Sequence, residues 1–258
     1  GPENPFSGSG NILTSMFHLR VIDSRTIELE TGDDAHRLEC DRFSDWVAIT
    51  FNCGIGVRIT GICQFLLKTV EPDIALYVSP IHINPKKPVM PISHPAIYAP
   101  YLAKKNGLFA TLGLAEDTWA LNAGILDDQN FSDQCLAFET EREQMLFDAL
   151  DNMKKGLCVC VFDGTDRIQH TFWRQIDPEH PVHDGHFQPT EKSMIASLYE
   201  RADAVLGRVM AKCRHDRTLL MVMSDHGFCS FQYGVDLNRW LEENGYLCLE
   251  NGGCDKKN

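Results

Sequence analysis

The chain has 258 residues, 43% hydrophobic and 23% charged, an ordinary balance for a globular protein with room for one large domain or two small ones. Its formal net charge of −12 argues against a broad nucleic-acid-binding surface, which needs a basic face; it leaves a phosphate substrate open, because bound divalent cations reverse the local charge. No apolar stretch approaches the roughly 18 residues of a membrane span, and the chain opens with neither a methionine nor a signal-peptide pattern, so a cytoplasmic piece of a longer chain with no membrane contact is expected.

Residues 1–83 are expected to form a β-rich insertion or cap, with strands at Met16–Ile22, Thr26–Thr31, Trp46–Asn52, Val57–Leu67 and Ile74–Ile83. Gly54, Gly56 and Gly61 suit turns or bulges between them. Residues 84–125, punctuated by Pro85, Pro88, Pro91 and Pro95, read as a connecting region with short helices, one from Pro95 to Lys105 stopped by Asn106-Gly107.

Residues 126–258 carry an α/β pattern. A helix is predicted from Asp133 to Lys155, then an apolar run at Leu157–Phe162. A second helix runs from Glu191 to Lys212, then a second apolar run at Thr218–Met223. A short last helix surrounds Leu237, Trp240 and Leu241. Short apolar runs of this kind suit strands buried on both faces of a parallel sheet, and helix–strand alternation places helices on its faces. The two runs are therefore predicted to be neighbouring parallel strands.

Each run ends in an acidic motif, and ligands of open parallel sheets bind at the carboxyl ends of strands. After the first come Asp163, Asp166 and His170; after the second, Asp225-His226-Gly227. Asp166 and His170 are four apart, which on a helix puts both on one face. Asp225 and His226 are adjacent, and Gly227 permits the tight turn that joint ligation needs. Taken alone, Asp225 also suits a helix cap with His226 an exposed loop residue. Two carboxylates and two imidazoles form most of a dinuclear metal site, with donors that suit zinc and also manganese. Asp163 reads as a turn or helix-capping residue, or as a partner orienting a ligand histidine. His180, His183 and His186 recur among Pro178 and Pro181, which prevent a regular helix, so they read as an ordered surface loop near the site entrance. The ten cysteines include no Cys-x-x-Cys pair and read mostly as small apolar core residues in a reducing compartment. No Walker loop, nucleophile elbow or dinucleotide fingerprint is present.

The segments Asp163-Gly-Thr-Asp-Arg-Ile-Gln-His-Thr-Phe-Trp-Arg174, Asp177-Pro-Glu-His-Pro181 and Ser224-Asp-His-Gly-Phe228 resemble the alkaline phosphatase superfamily. The nearest branch in likeness is the type I phosphodiesterase/nucleotide pyrophosphatase group, in its predicted phosphohydrolase/phosphomutase members. Gly1-Pro-Glu-Asn-Pro5, Asp45-Trp46, Tyr77-Val-Ser-Pro80 and Gly113-Leu-Ala-Glu-Asp117 also look like segments of that subgroup. The resemblance implies an alkaline-phosphatase-like parallel sheet with helices on both faces and a two-metal phosphoric ester hydrolase. One cation would be held by Asp166 and His170, the other by Asp225 and His226, with a small-molecule phosphate ester as substrate. In the family a further Asp and a Thr or Ser nucleophile come from an early strand, and another His from a later segment. Neither is found here, so the chain resembles an internal portion of the whole enzyme, with the nucleophile outside it, and this portion alone is expected to be inactive. A phosphomutase of the same superfamily and a non-catalytic binding module are the competing expectations.

Overall fold

The computed structural model describes residues 12–32, 34–54, 56–181, 193–213 and 218–248. The chain divides into two units, one up to Ile168 and one from Gln169.

All eight described strands lie in the first unit. Strands β1 (His18–Asp23), β2 (Thr26–Thr31) and β3 (Asp34–Glu39) form an antiparallel meander. Its first turn is held by the Arg25 N–H donating to Asp23 Oδ1 at 2.9 Å. Strand β4 (Val47–Gly54) alternates strictly: Val47, Ile49, Phe51 and Cys53 are buried while their neighbours face out, as a sheet with one packed face requires. It pairs antiparallel with β5 (Val57–Cys63), whose far end pairs with β8 (His82–Ile83).

Strands β6 (Phe65–Thr69) and β7 (Ala75–Val78) form a third, two-stranded sheet. The predicted single strand over Val57–Leu67 breaks at Gln64. There Ser79 Oγ accepts the Gln64 N–H and Ser44 Oγ accepts the Phe65 N–H, both at 2.9 Å, so side chains replace the ladder between two sheets. One apolar cluster joins the sheets: Ile27, Leu29 and Leu38 from the meander, Val47, Ile49 and Phe51 from β4, Phe65 and Leu67 from β6. Each such side chain contributes about 1.5–3 kcal/mol of burial.

The helices follow. Helix α1 (Tyr98–Asn106) stops at Gly107, whose φ of 97° a side chain would resist. Helix α2 (Thr118–Asn122) and the long α3 (Asp128–Asn152) begin behind Asp117 and Asp127, whose carboxylates accept the Ala120 and Asn130 N–H groups. Helix α4 (Gly164–Phe172) runs into a 3₁₀ turn at Trp173–Gln175. In the second unit, α5 (Met194–Cys213) buries Ile195, Leu198, Val205 and Val209, and α6 (Leu237–Glu243) starts behind Asp236.

The fold class needs one correction. The chain mixes helices with small sheets, but every sheet ladder among the described residues is antiparallel, and no parallel sheet is present among them. Leu157–Phe162 and Thr218–Met223 are not strands, and Leu157, Val159, Val161, Leu219, Met221 and Val222 are exposed. Apolar side chains demand burial, but a ladder forms only where neighbouring strands supply donors and acceptors. No described strand pairs with either run.

Among the cysteines, Cys53, Cys63 and Cys135 are buried free thiols, as expected, whereas Cys160 and Cys229 are exposed and Cys248 is disulfide-bonded. No described helix is long and apolar enough to cross a membrane.

Candidate functional site

Helix α4 carries Asp166 and His170 one turn apart. Its start is built from three directions. The Asp163 carbonyl accepts the Arg167 N–H at 3.0 Å and closes the first helical turn. The Asp163 carboxylate pairs with Arg142 of α3. The Gly164 N–H donates to Glu139 Oε1 at 2.8 Å, a cap supplied from the middle of α3. The approach is so close that a Cβ on Gly164 would lie 2.4 Å from Glu139 Oε1 and 2.6 Å from its Cδ.

Around this junction lies a buried charge cluster. Arg142 Nη1 is 3.2 Å from Glu139 Oε1 and 3.9 Å from Glu116 Oε1. Arg167 Nε is 3.8 Å from Glu116 Oε2, and Arg167 Nη1 is 3.6 Å from Asp166 Oδ2. Glu116 and Glu139 are only 4% and 5% exposed. Burial pushes both carboxyls above their ordinary range, and Arg142 pulls each back, helped at Glu139 by the Gly164 N–H.

In the second unit, Ser224–Ser230 folds beside the end of α4. The ring of Phe228 packs 4.8 Å from that of His170, 5.2 Å from that of His226 and 5.9 Å from that of Trp173. Ser230 Oγ donates to Asp177, tying the segment to the Asp177-Pro-Glu-His-Pro181 stretch. The two imidazoles, His170 and His226, stand 6.4 Å apart between centroids. Next to them, the Asp225 side chain is 90% exposed and its Oδ2 is 3.8 Å from His226 Nε2. The tight turn at Asp225 is set by its own Oδ1 accepting the His226 N–H at 3.1 Å and by Ser224 Oγ donating to the His226 carbonyl at 2.5 Å.

The type I phosphodiesterase / nucleotide pyrophosphatase family profile matches residues 46–256, most of the chain. The chain belongs to that family. It is the branch of the alkaline phosphatase superfamily that the two motifs resemble, and the matched span contains Asp166, His170, Asp225 and His226. Family members hydrolyse phosphoric esters and typically use divalent metals. No curated protein and no solved structure matches the chain.

The donor set fits such metals in kind: two imidazoles that already lie side by side, and carboxylates adjacent in sequence or one helical turn away. A tetrahedral ion with bonds of about 2.1 Å to two imidazoles puts their centroids ~5 Å apart, and a pair of ions puts them further apart, so 6.4 Å is in reach of either arrangement. Among the described residues, no group of three or more His, Cys, Asp or Glu side chains is drawn together tightly enough to hold a metal. His183 and His186 lie outside the described residues; His180 is half-buried beside the Asp177 stretch, its N–H donating to the Asp177 carbonyl at 3.1 Å.

Sequence reasoning missed Glu116, Glu139, Arg142 and Phe228. Glu116 and Phe228 lie in segments that carry the family resemblance, but no role was read for them; the Glu139/Arg142 pair, three apart on a helix, is indistinguishable in sequence from a solvated i,i+3 ion pair.

Proposed function

We propose that this protein works as a metal-dependent phosphoric ester hydrolase of the phosphodiesterase/nucleotide pyrophosphatase kind, with Asp166 and His170 holding one divalent cation and Asp225 and His226 the other. Zinc is preferred over manganese because two of the four donors are imidazoles. The observation that carries the reading is the 6.4 Å pairing of His170 with His226, two residues 56 positions apart that come from the two motifs. Residues 1–83 are assigned as an insertion or cap, and residues 126–258 as the part of the enzyme that carries the site.

Such cations, when bound, neutralise the phosphoryl oxygens, activate the nucleophile and stabilise the leaving oxygen. The chain's own residues do the positioning. Helix α4 fixes a carboxylate and an imidazole on one face. Phe228 packs against both imidazoles, which restricts their rotation. The Ser224 and Asp225 hydrogen bonds hold the turn that presents Asp225 and His226. The exposed Asp225 carboxylate leaves that side open to an incoming phosphate ester.

Turnover of a chromogenic phosphodiester by the full-length protein, assayed with and without a chelator and with zinc or manganese restored, tests the reading. Metal-dependent release of the chromophore that His226→Ala abolishes supports it. Release unaffected by chelator or by that substitution refutes it.

A further inference from the structure

Glu139 belongs to α3, far in sequence from either motif, yet it makes the most intimate contact with the start of α4. Its Oε1 accepts the Gly164 N–H at 2.8 Å, and Gly164 is the one residue type that lets it come so close. Arg142, one turn along α3, holds both Glu139 and Asp163. Glu116 stands on the far side, within ion-pair distance of Arg142 and of Arg167, and Arg167 in turn reaches Asp166. Carboxylates held on guanidinium groups thus grip α4 at its amide end and through Arg167. Burying this many charges is expensive, and such a cluster is poor evidence for stability. A helix of nine residues is also marginal without outside support.

We propose that Glu139, with Arg142, is a positioning residue for the metal site: it sets where α4 begins and how it is rotated, and so aims Asp166 and His170 together. The inference rests on the metal reading above and deepens it. Three features fit this role better than bulk stabilisation. The cap comes from outside the helix. A Cβ at position 164 would lie 2.4 Å from Glu139 Oε1, so glycine keeps the approach open. Arg167 couples the same cluster directly to the Asp166 carboxylate.

The test compares full-length wild-type protein with its Glu139→Gln, Glu139→Ala and Gly164→Ala variants in two measurements. The first is zinc affinity by competition with a chromogenic chelator; the second is amide hydrogen exchange along α4 and α5 in metal-free protein. Glutamine keeps an acceptor oxygen for the Gly164 N–H, whereas alanine removes it. The expectation for Glu139→Ala is zinc affinity about 10–100-fold weaker, the usual effect of losing a group that orients a ligand. Exchange within α4 should be roughly fivefold faster, as for loss of a helix cap, with α5 unchanged. Gly164→Ala should resemble Glu139→Ala, and Glu139→Gln should recover most of both losses. Wild-type zinc affinity in Glu139→Ala, or equal loss in Glu139→Gln and Glu139→Ala, overturns the proposal. A wild-type protein that takes up no zinc brings down the metal reading and with it the aiming role; exchange then still decides the cap, upheld by faster α4 exchange in Glu139→Ala alone and refuted by unchanged exchange.

Discussion

Replacing Glu141 with glutamine should change how stability depends on pH, and the size of the change follows from its surroundings. Glu141 Oε1 accepts the Trp46 Nε1–H at 2.7 Å and Oε2 accepts the Ala110 N–H at 2.8 Å. Burial pushes its carboxyl from an ordinary 4.5 up to about 7, despite these donors and the nearby Arg142, which act the other way. A group whose pKa is higher folded than unfolded stabilises the fold fully below its unfolded value and loses that contribution as pH rises through the folded value. With 4.5 unfolded and about 7 folded, roughly 2.5 kcal/mol is lost between pH 5 and pH 8.

His82 runs in the opposite sense. It is 1% exposed, its Nδ1 accepts the Thr111 N–H at 2.9 Å, and burial pulls it from 6.5 down to about 4. Its contribution is present above 6.5 and lost as pH falls through 4. The wild-type curve therefore mixes two opposed slopes, and the difference between the two proteins isolates Glu141. Urea unfolding followed by tryptophan fluorescence should show Glu141→Gln gaining about 2.5 kcal/mol on wild type as pH goes from 5 to 8. A difference constant within about 0.5 kcal/mol across that range would show that Glu141 is not held at a raised pKa, and the reasoning fails.

Phe131→Ala, at a fully buried position of α3, should cost about 3–5 kcal/mol in the same unfolding assay. Gly61→Ala should cost about 1–3 kcal/mol, because its Cβ would come within 2.4 Å of Ile81 Cγ2 and 3.1 Å of the His82 carbonyl. Lys68→Ala should cost under about 1 kcal/mol: its Nζ pairs with Asp127 at 2.8 Å, but that carboxylate is 56% exposed, and added salt should shrink the effect further.

Much of the β-rich region was legible because one packed face imposes a period of two. Strand β2 matches its predicted bounds, and β4 shows the alternation in full. Strand β3, Asp34-Ala-His-Arg-Leu-Glu39, escaped notice because five of its six residues are at least partly exposed and it forms through pairing with β2. The helices α1, α3, α5 and α6 were visible from apolar spacing and end signals, with boundaries shifted by a few residues. The runs at 157–162 and 218–223 were misread because apolar character states a demand for burial without naming what meets it. At the site, the two motifs were singled out at the ends of similar runs, and their imidazoles stand 6.4 Å apart, but the parallel strands expected to bring them together are absent among the described residues. The charge cluster behind α4 was not foreseen, because Glu116 and Asp163 are brought to Arg142, and Arg167 to Glu116, only by the fold.

The central claim is that Asp166, His170, Asp225 and His226 hold metal for phosphate-ester chemistry. Its most direct test is zinc bound per molecule of full-length enzyme under saturating zinc, in wild type, His170→Ala and Asp225→Ala, with folding checked by circular dichroism. The account predicts that each variant loses about one zinc equivalent with its helical signal intact. Wild-type zinc content in both variants would contradict it, and the two motifs would then be structural.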